Sequence, residues 1–278
     1  MKHLFVLCAA AMSFACCGNK PQTQSEAVPA QPKFSTFSDH VLSVARQDSI
    51  SLLEAAKWVH SIGIDGVDAR TSLSDEQMAD LDAAGLQHAC AILDVVWTKD
   101  PVPPLQEEAI AFCKKYNFDR LMYCPPLLPE GATPEQKDSL MADTKAFADK
   151  AIAAGIDLLF EDYDNPRALT FNMVALDKVF EAIPNANHAY DSGNFFFAGD
   201  DPMQTFEHFH DRISHVHLKD RVAVGDKASP AAGTGAVPCR QLVDRLMEEG
   251  YQGWITIEGY GAKDMKEQLK VSVDNMVK

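Results

Sequence analysis

From about residue 40 onward, short apolar runs alternate with longer stretches in which apolar residues recur every three to four positions. The short runs predict strands at 40–45, 66–69, 88–93, 120–124, 157–160, 187–190, 214–218 and 254–257. The longer stretches predict amphipathic helices at 51–62, 75–84, 106–116, 134–154, 170–182 and 239–249. A strict strand–helix alternation implies parallel strands joined by crossover helices. Eight strands are the number that closes into a (β/α)8 barrel, so the pattern predicts one α/β domain.

Local punctuation agrees with that period. Ser74 followed by Gln77 has the spacing of a capping box, which satisfies the free backbone donors of a helix start. Gly63, Gly85, Gly155 and Gly250 each stand where a helix must stop before the next strand.

Composition changes the picture mainly at the N-terminus. Met1-Lys2-His3 precedes an apolar stretch from Leu4 to Ala15 that is too short to span a bilayer, the pattern of an export signal. Ser13-Phe14-Ala15-Cys16-Cys17-Gly18 resembles a bacterial lipoprotein processing site, with Cys16 or Cys17 as the lipidated residue. The expected organisation is a signal peptide at 1–17, a polar Pro- and Gln-containing tether at 18–33 and the barrel at 34–278. That places the chain outside the cytoplasm, periplasmic or at the cell surface, and on a membrane only through its N-terminal lipid. Forty acidic against 25 basic residues give a net charge of −15, which argues against nucleic acid as a partner. The body cysteines Cys90, Cys113, Cys124 and Cys239 lack the paired spacing of a zinc site and read as small buried residues.

The chemistry lies at the ends of the last four apolar runs. They finish on Glu161, Asp191, His217 and Glu258, donors that alternation along a strand can turn inward at the C-terminal mouth of a barrel, where barrel enzymes carry their sites. Three buried carboxylates would cost several kcal/mol each without compensation, so a divalent cation is expected. The donor set suits a moderately hard metal rather than a closed structural zinc. His215 shares the parity of His217, and a core role is expected for it and for His188.

These phrases, Gly63-Ile-Asp-Gly-Val-Asp68, Phe160-Glu161, Asp191-Ser-Gly, Val216-His217-Leu-Lys-Asp220, Gly233-Thr-Gly235 and the run from Gly253 to Glu258, resemble in this order the xylose isomerase-like TIM barrel superfamily, in its sugar phosphate isomerase/epimerase branch. The resemblance covers roughly residues 40 to 260. It implies that Glu161, Asp191, His217 and Glu258 hold one divalent ion, manganese first, with magnesium, cobalt or zinc as alternatives. It also implies that Glu161 and Glu258 move the proton beside a substrate carbonyl through an enediolate. Such general acid–base work contributes about 10²- to 10⁴-fold. Lys219, Arg221 and Arg70 are candidate substrate contacts, and Trp97 and Tyr123 are candidate walls for a sugar ring.

The functional expectation is a metal-dependent sugar isomerase or epimerase acting on a small carbohydrate, with a homodimer possible by resemblance. The alternative is a keto-sugar dehydratase or lyase on the same site, of 3-keto-glycoside or keto-inositol type. A non-catalytic carbohydrate-binding lipoprotein ranks lower because both glutamates are intact. The superfamily's endonucleases need further zinc-binding histidines; the segment from Gly225 to Val237 has none, and Asn194 stands near where one would be wanted.

Overall fold

The computed structural model describes residues 31–277, so the signal peptide, Cys16 and Cys17 and most of the tether lie outside the described residues. Eight strands pair in parallel and in sequence order: β1 (Lys33–Phe37), β2 (Ile64–Arg70), β3 (Gln87–Asp94), β4 (Arg120–Cys124), β5 (Asp157–Glu161), β6 (Asn187–Asp191), β7 (Ile213–Lys219) and β8 (Trp254–Glu258). β8 pairs back onto β1, from Lys33 against Trp254 to Thr36 against Ile257, which closes the barrel. The helices are α1 (Ser38–Asp48), α2 (Leu52–Ser61), α3 (Asp75–Ala83), α4 (Val102–Tyr116), α5 (Pro134–Ala153), α6 (Met173–Ala182), α7 (Ser192–Ala198), α8 (Pro202–Phe209), α9 (Cys239–Glu248) and α10 (Met265–Val277). None of the described helices is long and apolar enough to cross a membrane.

Seven of the eight expected strands coincide with observed ones, and the first does not. Residues 40–45 belong to α1, where Val41 and Val44 are buried at helical spacing. The true first strand is Lys33-Phe-Ser-Thr-Phe37, which begins at the last residue assigned to the tether. Its polar centre concealed it. Ser35 and Thr36 are fully buried, and the barrel satisfies both: Ser35 Oγ lies 2.6 Å from Thr256 Oγ1, and Thr36 Oγ1 donates to the Ile257 carbonyl at 2.9 Å.

The apolar residues divide into two sets. The larger fills the layer between strands and helices, with Val67, Leu121, Leu158, Phe160 and Val216 facing residues such as Val59, Phe147 and Leu242. The smaller fills the barrel interior with Phe37, Cys90, Ile92, Val96, Met122, Cys124, Leu159 and Ala189. Fully burying one aliphatic or aromatic side chain stabilises by about 1.5–3 kcal/mol, so the outer layer carries most of the fold. The four body cysteines are all buried and free.

Helix starts and stops follow the sequence signals. The Ser74 hydroxyl accepts from the Gln77 N–H while the Gln77 side chain accepts from the Ser74 N–H, closing the expected capping box. The four glycines before entering strands all take left-handed φ values between +74° and +90°.

Candidate metal centre and active-site cavity

Strand alternation brings Glu161 of β5, Asp191 of β6, His217 of β7 and Glu258 of β8 to the inner face at the C-terminal end of the barrel. One ligand atom from each lies within 4.8 Å of the others, and all four residues are buried. Glu161 Oε1 is 2.5 Å and Glu258 Oε2 is 3.4 Å from His217 Nδ1. Asp191 caps α7, its Oδ1 accepting from the N–H groups of Gly193 and Asn194 at 2.8 and 2.9 Å, which leaves Oδ2 for the cage. Gly193 is required for this packing: a Cβ there would sit 2.7 Å from Lys219 Cγ and 2.9 Å from the Lys219 carbonyl oxygen.

Two cations balance part of this charge. Lys219 Nζ pairs with Glu258 Oε1, lies 2.8 Å from Asp191 Oδ2 and donates to Asn194 Oδ1 at 3.0 Å. Burial opposes charge on His217, but Glu161, Asp68 and Glu258 hold its imidazole protonated well above the usual range. Burial pushes the Glu258 carboxyl up to about 8, with Asp191 and Glu161 adding to the rise and Lys219 and His217 opposing it. Glu258 Oε2 has no hydrogen-bond partner among the described residues.

This is a cage with negative charge left over, and a divalent ion fits it. Three carboxylate oxygens and one imidazole nitrogen converge, Glu258 Oε2 lacks a hydrogen-bond donor among the described residues, and the Glu258 carboxyl, raised chiefly by burial and further by Asp191 and Glu161, is a group whose ionised form a cation would favour. To serve as a ligand, His217 would have to shed its Nδ1 proton, so any metal bound here would be held more tightly at higher pH.

Beneath the cage is a feature with no sequence-level assignment. Asp68 of β2 is fully buried, and its Oδ2 accepts from His215 Nε2 at 2.7 Å, His217 Nε2 at 3.2 Å and Thr256 Oγ1 at 3.1 Å. Burial alone would raise its pKa, but His215 and His217 hold it ionised, well below the usual carboxylate range. The available signal was a single acid in the apolar β2 run at inward parity. His215 and His188 are core residues as expected, the first on Asp68 and the second donating to Asp162 Oδ1 at 3.2 Å.

The cage opens into a cavity of about 360 Å³ lined by Phe37, Arg70, Asp94, Trp97, Met122, Cys124, Tyr163, Asp164, Asn194, Lys219, Arg221, Lys227 and Tyr260 along with the two glutamates. Arg70 ends β2 and is fixed by Asp39 at 2.9 Å and Asp94 at 3.2 Å. Arg221 Nη2 donates to Asp164 Oδ2 at 2.8 Å and to Asn194 Oδ1 at 3.1 Å. Trp97, 64% exposed, stands at the mouth with Tyr260. Asp220 organises the long loop after β7 by accepting from the N–H groups of Gly233, Gly235 and Val237.

Of the expected substrate contacts, Arg70, Trp97, Lys219 and Arg221 line the cavity, and Tyr123 does not. Met122 and Cys124 point inward, so alternation sends Tyr123 outward. There it packs edge-on to Phe147 of α5 at 4.7 Å and accepts from Gln106 Nε2 at 3.0 Å. Asp94, Asp164 and Tyr260 are cavity residues that the sequence reading missed.

Comparison with known proteins agrees with this architecture. A putative hydroxypyruvate isomerase from Streptomyces coelicolor is 28% identical over 139 residues, covering 46% of this chain and 48% of that protein. An inosose dehydratase from Lacticaseibacillus casei is 20% identical over 142 residues, covering 45% and 48%. The chain thus spans about half the length of the curated relatives it matches. Among solved structures, a probable 3-DHS dehydratase from Bacillus anthracis superposes with a TM-score of 0.71 at 13% identity, over 87% of this chain and 97% of that one, a likeness of fold. The xylose isomerase-like TIM barrel profile matches residues 56–276, and the chain belongs to that family.

Proposed function

We propose that this chain is a divalent-metal-dependent isomerase or epimerase that moves a proton beside the carbonyl of an uncharged keto sugar. The observation that carries the reading is the pair of buried carboxylates, Glu161 and Glu258, converging from β5 and β8 on one imidazole at the floor of an open cavity. Glu161, Asp191, His217 and Glu258 would hold the ion, manganese by preference. Bound there, it would act as a Lewis acid on the substrate's carbonyl and adjacent hydroxyl oxygens.

The chain's own residues do the rest. One glutamate oxygen takes the proton from the carbon beside the carbonyl and the other returns one, to the same carbon on the opposite face or to its neighbour. Lys219 Nζ lies between Asp191 and Glu258, where an ammonium stabilises negative charge developing on a substrate oxygen. Phe37, Tyr163, Tyr260 and Trp97 offer ring faces to a sugar.

The charge pattern supports a neutral substrate. Every cation lining the cavity already faces a carboxylate: Arg70 faces Asp39 and Asp94, Lys219 faces Asp191 and Glu258, and Arg221 and Lys227 share Asp164. A phosphate or carboxylate would find no uncommitted partner there. The paired acids instead offer oxygens that accept hydroxyl hydrogens.

Elimination is the second reading. Lys219 is placed to hand a proton to a departing hydroxyl or alkoxy group, and matched relatives include inosose dehydratases. Both readings share the first proton transfer. The export signal and lipidation at Cys16 or Cys17 belong to the same proposal and favour carbohydrates met outside the cytoplasm. The test is to incubate the full chain in heavy water with free ketoses, 3-keto-glycosides and sugar phosphates, with added manganese and after chelation. Metal-dependent deuterium incorporation beside the carbonyl of a neutral substrate is expected. Undiminished turnover after chelation, or a preference for the phosphates, would overturn the proposal. An unsaturated product would select elimination.

A further inference from the structure

We infer that Asp68, one layer below the cage, is a positioning residue that holds the Nε2 proton of His217 and so keeps its Nδ1 lone pair turned toward the ion. The inference rests on the cation-binding reading above and gives it a second layer. An imidazole has two nitrogens, and the one that binds a metal is set by the hydrogen bond the other makes. Here Nδ1 faces Glu161 and Glu258, while Nε2 lies 3.2 Å from Asp68 Oδ2. Asp68 Oδ2 is also reached by His215 Nε2 and by the Thr256 hydroxyl, and an oxygen that takes those donors acts as an acceptor toward His217 as well, so Nε2 carries the proton.

Asp68 is itself over-determined. His215 Nε2 and the Thr256 hydroxyl reach the same oxygen at 2.7 and 3.1 Å, and Ser35 Oγ lies 2.6 Å from that hydroxyl. The group spans β1, β2, β7 and β8, all with zero exposure, so the carboxylate cannot swing away or be replaced by water from the cavity. His215 therefore acts as more than filler. Its N–H and that of His217 together hold a buried negative charge under the cage, and that charge favours a cation above it.

The experiment compares the full-length chain with Asp68→Asn and Asp68→Ala. Manganese binding is measured by titration calorimetry. The His217 ring is read by ¹H–¹⁵N correlation in the metal-free and magnesium-loaded states. Asn keeps an oxygen acceptor but removes the charge; Ala removes both. Loss of such a partner to a metal-ligating histidine weakens metal binding by about 10- to 100-fold. About tenfold weaker manganese binding is expected for Asp68→Asn and a larger loss for Asp68→Ala. The His217 Nε2–H signal of the parent should shift in the first variant and disappear or broaden in the second. If Asp68→Ala fails to fold, Asp68→Asn alone decides. Parent-like manganese affinity in Asp68→Asn with an unmoved His217 signal would overturn the inference, as would a parent His217 with no proton on Nε2. If the parent binds no divalent ion, the reading under Proposed function fails, and the metal-free spectra still decide whether Asp68 holds the His217 proton.

Discussion

The two halves of the barrel mouth are built from the same βα unit and carry opposite chemistry. At the ends of β5 to β8 stand Glu161, Asp191, His217, Lys219 and Glu258, a dense and buried cluster of charge. At the ends of β1 to β4 stand Phe37, Arg70, Asp94 and Cys124, where the apolar interior reaches the cavity and the only cation is held between two acids. On the proposed function, the first half would act on the carbonyl and the second would present a surface for the body of the sugar. The reacting carbon would then face the charged half, because Asp94, the acid of the other half that lines the cavity, is already paired with Arg70.

The largest effect is expected from neutralising an acid on the charged side, set against trimming an apolar side chain on the facing one. Glu161→Gln or Glu258→Gln preserves shape and removes the acid–base group, so kcat should fall by about 10²- to 10⁴-fold. Met122→Ala on the facing half should act mainly through KM, with kcat within about tenfold of the parent. Steady-state kinetics with whichever neutral substrate turns over would measure both. A Glu258→Gln enzyme at parental kcat would erase the distinction between the halves.

The seam where the halves meet gives a smaller effect, on stability. His40 of α1 packs edge-on to Phe37 and Tyr260, and its Nε2 accepts from the Gly259 N–H at 3.0 Å, tying the loop beyond Glu258 to the first helix. A protonated ring cannot accept that bond. Burial lowers the His40 pKa to about 4, with Lys219 and Arg70 assisting and Asp39 and Asp68 opposing. A folded pKa below the unfolded one means that the contribution is complete above about pH 6.5 and is lost as pH falls toward about 4. The difference corresponds to roughly 2–3 kcal/mol between neutral pH and about pH 4.5. Denaturant unfolding at the two pH values should show that loss in the parent and a smaller one in His40→Gln, whose amide oxygen can accept at both. An equal loss in the two proteins would remove His40 from the seam.

What the sequence revealed follows the same division. Glu161, Asp191, His217 and Glu258 stood out because each ends an apolar run where a polar side chain needs a reason. Lys219 and Arg221 followed from their proximity to His217. The apolar half was harder to read because an inward Met122 and an outward Leu121 look alike in a hydrophobic pattern, and only the register decides between them. Strand β1 was hidden for a related reason: Ser35 and Thr36 are polar residues whose partners, Thr256 and the Ile257 carbonyl, lie at the far end of the chain. Asp68 went unassigned because its importance comes from His215 and His217, which only closure of the barrel brings near.

The finest test separates two aromatic residues that sequence treated alike. Trp97 stands at the mouth of the cavity; Tyr123, on the neighbouring strand, is buried against α5. Trp97→Ala removes a ring face worth about 0.5–1.5 kcal/mol in aromatic contact, so KM should rise by roughly 2- to 10-fold with little change in kcat. Tyr123→Phe deletes only the hydroxyl that accepts from Gln106, a loss of about 1 kcal/mol in stability, and should leave KM and kcat at parental values. Kinetics and unfolding curves for the two variants distinguish the cases. A Tyr123→Phe enzyme with raised KM and unchanged stability would mean that β4 turns its other face to the cavity. Met122 and Cys124 would then lie outside the barrel on that strand, with the charged half unaffected.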